Sequence, residues 1–173
     1  MPFESMLTIS AVVLIVSGGA KLVDPAPTAG ALRAARLPSG RGWVWALAVG
    51  EVILGTTALT VPDPWAPAGV ALAYLAFAGF VAHALRADIP IQSCGCFGRS
   101  DTPPTGLHLV VNLVLATGSM AAAFTGAPLL DRIMAAPPAG LLEAGFAAIG
   151  AYLVYLLLAE LPATLSAARG AES

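Results

Sequence analysis

The chain has 173 residues, of which 58% are hydrophobic and 10% charged, with a formal net charge of -2. A soluble domain carries roughly 25% charged residues, so the composition excludes a water-exposed globular enzyme and makes lipid the natural solvent. The basic residues are thinly spread and lack interleaved aromatics, which excludes a nucleic-acid partner, and the length allows one membrane domain over 1–173 without an added soluble one.

Five apolar segments approach or reach the roughly 20 residues that cross a bilayer. They are too long and too uniformly apolar for barrel strands, so helices are expected. The first runs over Met6–Val23. Gly18-Gly19-Ala20 resembles a small-residue cleavage site, but the leader lacks Lys and Arg and carries Glu4, so a retained helix is expected. Asp24-Pro25 ends the segment. From Thr28 to Leu37, small apolar residues alternate with Arg33 and Arg36, which fits either a helix on the membrane surface or a solvated loop.

The second segment, Trp43–Val61, places Glu51 roughly 12 Å below its start at 1.5 Å per residue, near mid-membrane. An ionisable group at that depth costs at least about 2.5 kcal/mol unless paired. Lys21, on the neighbouring helix, is the expected partner, and the pair is either a register-fixing contact or a proton carrier. Pro62-Asp63-Pro64 leads to the third segment, Ala66–Leu85. Trp43, Trp45 and Trp65 fall at segment ends, where amphipathic rings suit the lipid–water interface.

A loop over 86–106 then carries Ser93-Cys94-Gly95-Cys96-Phe97-Gly98 and Arg99. Cys94 and Cys96 are the chain's two cysteines. Disulfide bonding needs Cα atoms within about 7 Å, which a turn at Gly95 allows. So small and exposed a ring exchanges readily. Arg99 and the start of the next helix both favour a thiolate. A Cys-x-Cys pair equally suits a soft ion such as Cu(I).

The fourth segment, Leu107–Phe124, opens with His108 and Asn112. His83 and His108 would join the cysteines in a metal site, or else are interfacial histidines bonded to loop backbone. Asn112 is expected to bond across helices. Pro137-Pro138 precedes the fifth segment, Ala139–Leu161. Asp63 and Asp131 look like solvated loop charges, and Arg169–Ser173 like a frayed end. Gly18, Gly19, Gly50, Gly55, Gly79, Gly118, Gly145 and Gly150 are expected to serve helix packing.

Counting crossings puts Lys21, His83, Cys94, Cys96, Arg99, His108 and Asn112 toward one face. That face also holds Arg33, Arg36, Arg41, Arg86 and Arg169, against Arg132 alone on the other. The positive-inside rule would make it cytoplasmic.

Taken together, the residues resemble the MauE/DoxX-like family of membrane redox proteins. The likeness rests on Gly19-Ala20-Lys21-Leu22 with Asp24-Pro25, then Leu37-Pro38, Glu51 and Cys94-Gly95-Cys96-Phe97-Gly98, and finally Asn112-Leu113 with Leu115. It covers most of residues 6–120. It implies an all-α integral membrane protein, a compact DoxX-like bundle of about five transmembrane helices. It also implies a thiol-disulfide oxidoreductase that supports disulfide formation in exported proteins beside a thioredoxin-like partner, with quinone as electron acceptor. Cys94 and Cys96 would be the redox pair, and Lys21, Glu51 and Asn112 supporting residues. Export-linked oxidation would place the cysteine loop on the extracytoplasmic side of the cell (inner) membrane, against the charge count. The rival readings are a soft-metal binding or transport protein and a non-catalytic adaptor for a redox partner.

Overall fold

The computed structural model describes residues 2–87, 89–91, 103–124 and 127–160. The regular structure among them is helical: α1 (Pro2–Val23), α2 (Ala26–Ala34), α3 (Arg41–Thr60), α4 (Trp65–Arg86), α5 (Gly106–Ala122), α6 (Leu129–Ala135) and α7 (Pro137–Tyr155), the last opening into a π-helical turn, Leu156–Glu160. Four of these helices are long and apolar enough to cross a membrane, and α5, at 17 residues, is a shorter apolar helix. The protein is an all-α, multi-pass membrane bundle of about five helices.

The helix starts follow from local chemistry. At Asp24-Pro25 and Asp63-Pro64 an aspartate side chain accepts the backbone N–H two residues on: Ala26 to Asp24 Oδ1 at 3.2 Å and Trp65 to Asp63 Oδ1 at 2.9 Å. Each aspartate satisfies a donor that the helix start leaves open. Asp63, expected to be merely solvated, therefore starts α4. The segment left open between loop and helix is α2, and α6 is an additional short helix that the sequence reading lacks.

Helix α1 is the hub, packing against α3, α5 and α7, while α4 lies along α5. One cluster of buried residues, including Leu7, Leu14, Val70, Tyr74, Leu115 and Leu158, joins α1, α4, α5 and the π-helical turn. The residues left exposed on α7, among them Leu141, Phe146, Ile149 and Leu153, are as apolar as a core. A helix apolar on all sides belongs in lipid. Thr57, Thr60 and Thr117 keep their hydroxyls satisfied by donating to the carbonyl four residues back, each at 2.8 Å.

The α1–α3 contact needs glycine at two levels. A Cβ on Gly18 would lie 2.7 Å from the Ala48 carbonyl oxygen, and one on Gly55 would lie 2.7 Å from that of Ala11. The obstacle is backbone in both cases, so it cannot swing aside. Among the described residues nothing lies within 4 Å of such a Cβ on Gly19, Gly50, Gly79 or Gly145, so there the expectation that they too serve packing fails. Gly55→Leu should therefore cost at least about 1–3 kcal/mol and sharply lower the folded fraction in detergent. Gly50→Leu should melt like the wild type, and equal melting of the two variants would contradict this packing.

The bundle has two distinct ends. At one, Ala31 of α2, Ala84 of α4 and Ile91 form a small buried cluster with Phe80 and Ile89. It anchors the segment that enters the cysteine loop onto α2. At the other end, α6 packs against α3 and α7.

Candidate functional site

From mid-bundle toward the end that carries α2, helices α1, α3 and α5 contribute the buried polar residues Ser17, Lys21, Glu51, His108 and Asn112. Lys21 sits two residues before the end of α1, and its stem runs back along the helix. Its Nζ donates to Ser17 Oγ at 2.5 Å and to Glu51 Oε2 at 2.8 Å. Both charged side chains are almost fully buried, at 5% and 7% exposed. The close approach at Gly18 brings α3 within reach, since Glu51 Cβ lies 3.1 Å from where a Gly18 Cβ would stand. The Lys21 ammonium also lies 5.6 Å from the centroid of the Phe77 ring, a cation–π contact in a dry setting.

Ser17 lines a small interior cavity together with Leu14, Tyr74, Phe77, Asn112 and Leu158. Its volume of about 20 Å³ is room for a single water. On its α5 wall, Asn112 Nδ2 donates to the His108 carbonyl at 2.7 Å. This bond stays within α5, four residues back, so the expected cross-helix bond is replaced by a local one. Tyr74 closes another wall, its hydroxyl donating to the Ser10 carbonyl at 2.7 Å.

His108 is fully buried and caps α5. The Thr105 backbone N–H donates to His108 Nδ1 at 3.2 Å, and the Thr105 hydroxyl lies 3.0 Å from the same nitrogen. The arrangement is a capping box in which histidine takes the place usually held by Glu or Gln. With Nδ1 accepting, the neutral ring carries its proton on Nε2. His108 thus fixes the helix that leaves the cysteine loop.

The structure brings Lys21 and Glu51 into direct contact and Asn112 beside His108, with the cavity between the two groups. His83 is exposed in the last turn of α4. Cys94, Cys96 and Arg99 lie outside the described residues. Among the described residues no three His, Cys, Asp or Glu gather as a metal site would require.

A second ion pair sits at the opposite end. Arg132 of α6 grips Glu143 of α7 side-on, with Nε to Oε2 at 2.9 Å and Nη2 to Oε1 at 2.6 Å. It also donates to Thr8 Oγ1 at 3.0 Å and to the Ala127 carbonyl. The bidentate geometry and the tie to α1 make it a clip for the α6–α7 hairpin. The sequence reading leaves Glu143 out. The burial argument applied to Glu51 would have found it, since Glu143 also stands within an apolar run.

A family model described as methylamine utilisation protein MauE matches residues 3–127. The chain belongs to the MauE family. The match spans α1 to α5 and both halves of the buried site. No curated protein and no solved structure matches the chain. The family description ties MauE to methylamine utilisation, and the α6–α7 hairpin with its Arg132–Glu143 clip lies beyond the matched region.

Proposed function

We propose that this MauE-family protein is a membrane thiol-disulfide oxidoreductase whose working pair is Cys94 and Cys96. The observation that carries the proposal is that the two cysteines of a family-assigned membrane protein stand one glycine apart, in a segment entered from a docked Ile91 and left through the Thr105–His108 cap. A thioredoxin-like partner in its dithiol form attacks one sulfur of the Cys94–Cys96 disulfide. The S–S bond breaks, a mixed disulfide forms, and the partner's second thiol resolves it. The partner leaves oxidised, and the cysteine pair holds the two electrons and two protons it gave up.

Reoxidation requires a membrane acceptor of two electrons and two protons. A quinone has that stoichiometry and is the class we propose. The apolar groove between α4 and α5, about 410 Å³ and lined by Ala71, Leu75, Ala116, Met120 and Phe124, suits a hydrocarbon tail. It lies in the half of the bundle away from the α2 end, so it offers a quinone ring no seat beside the cysteine loop, and no step here is routed through it.

The buried polar group acts as support. Lys21 and Glu51 fix α1 against α3, while the His108 cap fixes the start of α5. We assign the cysteine loop to the extracytoplasmic side of the cell membrane, where disulfides persist. The count of basic residues points the other way, and setting aside Lys21 and Arg132, each held in an ion pair, does not change its direction.

The test is a trapping experiment with Cys94→Ser and Cys96→Ser. Each variant keeps one thiol, which attacks the disulfide of an oxidised partner and, with no second cysteine in the chain to resolve the product, holds that partner as a mixed disulfide. One of them should accumulate a mixed disulfide with a thioredoxin-fold protein that dithiothreitol releases, and the double variant should accumulate none. Failure of both single variants in intact membranes would overturn the proposal. One stoichiometric soft metal, bound under reducing conditions and lost in the double variant, would replace it with the metal reading.

A further inference from the structure

A groove of about 420 Å³ opens at the α2 end, where the end of α1, helix α2 and the start of α3 meet. Arg33, Arg41 and Ser39 line one part of it, and Val23 and Pro25 line another. Asp24 also lines it, with its Oδ1 accepting the Ala26 N–H at 3.2 Å. Two arginines and one aspartate thus line the groove, and its lining carries net positive charge.

The surroundings set its depth. Trp43 and Trp45, in the first turns of α3, are half-exposed, as aromatics at a lipid–water interface are. Arg41 is held over the Trp45 ring at 4.9 Å, so its guanidinium is pre-positioned at headgroup level. Val23 is 88% exposed in the same groove, an apolar surface that suits acyl chain. The site is cationic on one side and apolar on the other, at the depth where phosphate meets hydrocarbon.

We propose that this groove binds an anionic glycerophospholipid, with Arg33 and Arg41 on the phosphate, Ser39 as an added donor and Val23 against the acyl chain. The guanidinium fork matches phosphate oxygens better than an ammonium does. Basic pockets beside transmembrane helices select anionic headgroups. A bound lipid would brace α2, which in turn holds Ile91 at the mouth of the cysteine loop. The inference does not depend on what the cysteines do.

The test uses the full-length protein in an uncharged detergent, following thermal unfolding during titration with phosphatidylglycerol, phosphatidylcholine or inorganic phosphate. Phosphatidylglycerol should raise the melting temperature saturably, while phosphatidylcholine and equimolar inorganic phosphate should not. Arg33→Gln with Arg41→Gln should move half-saturation at least tenfold higher. Arg86→Gln, an exposed charge at the same end but outside the groove, should leave it unchanged. All of these positions are exposed, so the variants keep their fold, which circular dichroism verifies. An equal response to phosphatidylcholine, or an unchanged titration in the double variant, would overturn the proposal. So would an equal loss in Arg86→Gln. An equal response to inorganic phosphate would make the groove a free-anion site and overturn the lipid assignment.

Discussion

Glu51→Ala will destabilise the bundle more than any other single substitution in the buried polar group. The variant leaves the Lys21 ammonium buried, with Ser17 and the Phe77 face as its remaining partners. Breaking one side of a buried pair costs about 3–5 kcal/mol, or roughly two to four orders of magnitude in the folding equilibrium. The Lys21→Met, Glu51→Leu double variant removes both charges and fills the space with apolar groups of similar size. It should recover most of the loss, because replacing a buried pair by packed hydrophobics is neutral or stabilising by about 1–4 kcal/mol. Thermal unfolding in detergent reads both effects, and a Glu51→Ala variant as stable as the wild type would show that the pair is not buried as described. The double variant also separates the two roles open to the pair. Restored stability with restored thiol oxidation means the contact only fixes register. Restored stability with lost oxidation means the charges serve the chemistry.

The Lys21–Glu51 contact was legible because the bilayer leaves a buried charge so few solutions. A carboxylate at mid-membrane needs a partner, and the neighbouring helix supplied one cation with a stem long enough to reach it. The same logic points to Glu143 but not to its partner. Arg132 falls in a seven-residue helix, Leu129–Ala135, too short to leave a periodic signal, and without that helix the guanidinium has no stated position. For His108 the bond to loop backbone was one of the two expected readings and is the one found, but its place in a cap was not legible. The capping pattern expected at a helix start places Glu or Gln three residues after the Thr. Histidine fills the role only when its ring turns back onto Thr105, and side-chain direction is not encoded in spacing. Asn112 illustrates how a buried amide can be satisfied locally. A bond to the carbonyl four residues back needs no neighbouring helix, so the residue type alone did not decide between the two. The glycines divide in the same way. Gly18 and Gly55 face a helix backbone while Gly19 and Gly50 face open space, and that difference depends on the rotation of α1 against α3, which composition does not carry.

Cys94→Ser with Cys96→Ser will have the opposite signature to Glu51→Ala. Oxidation of a reduced thioredoxin-fold partner by vesicles containing the double variant should fall to the rate of vesicles without the protein. No other cysteine in the chain can accept the partner's electrons. Stability should change little. A disulfide across so short a loop removes about 1.6 kcal/mol of unfolded-state entropy in the chain-entropy model before any strain is subtracted, compared with about 4.7 for a loop of 100 residues. The cost of losing the cysteines is therefore smaller than that of losing Glu51, although the effect on turnover is complete. An adaptor that only positions a partner predicts the reverse, full oxidation in the double variant, and that result would end the oxidoreductase reading. A staple predicts a third pattern, in which the double variant melts several degrees lower and the rate falls only as folded protein is lost. Measuring rate per folded molecule distinguishes all three, because only a redox pair loses turnover while the helices that hold it stay folded.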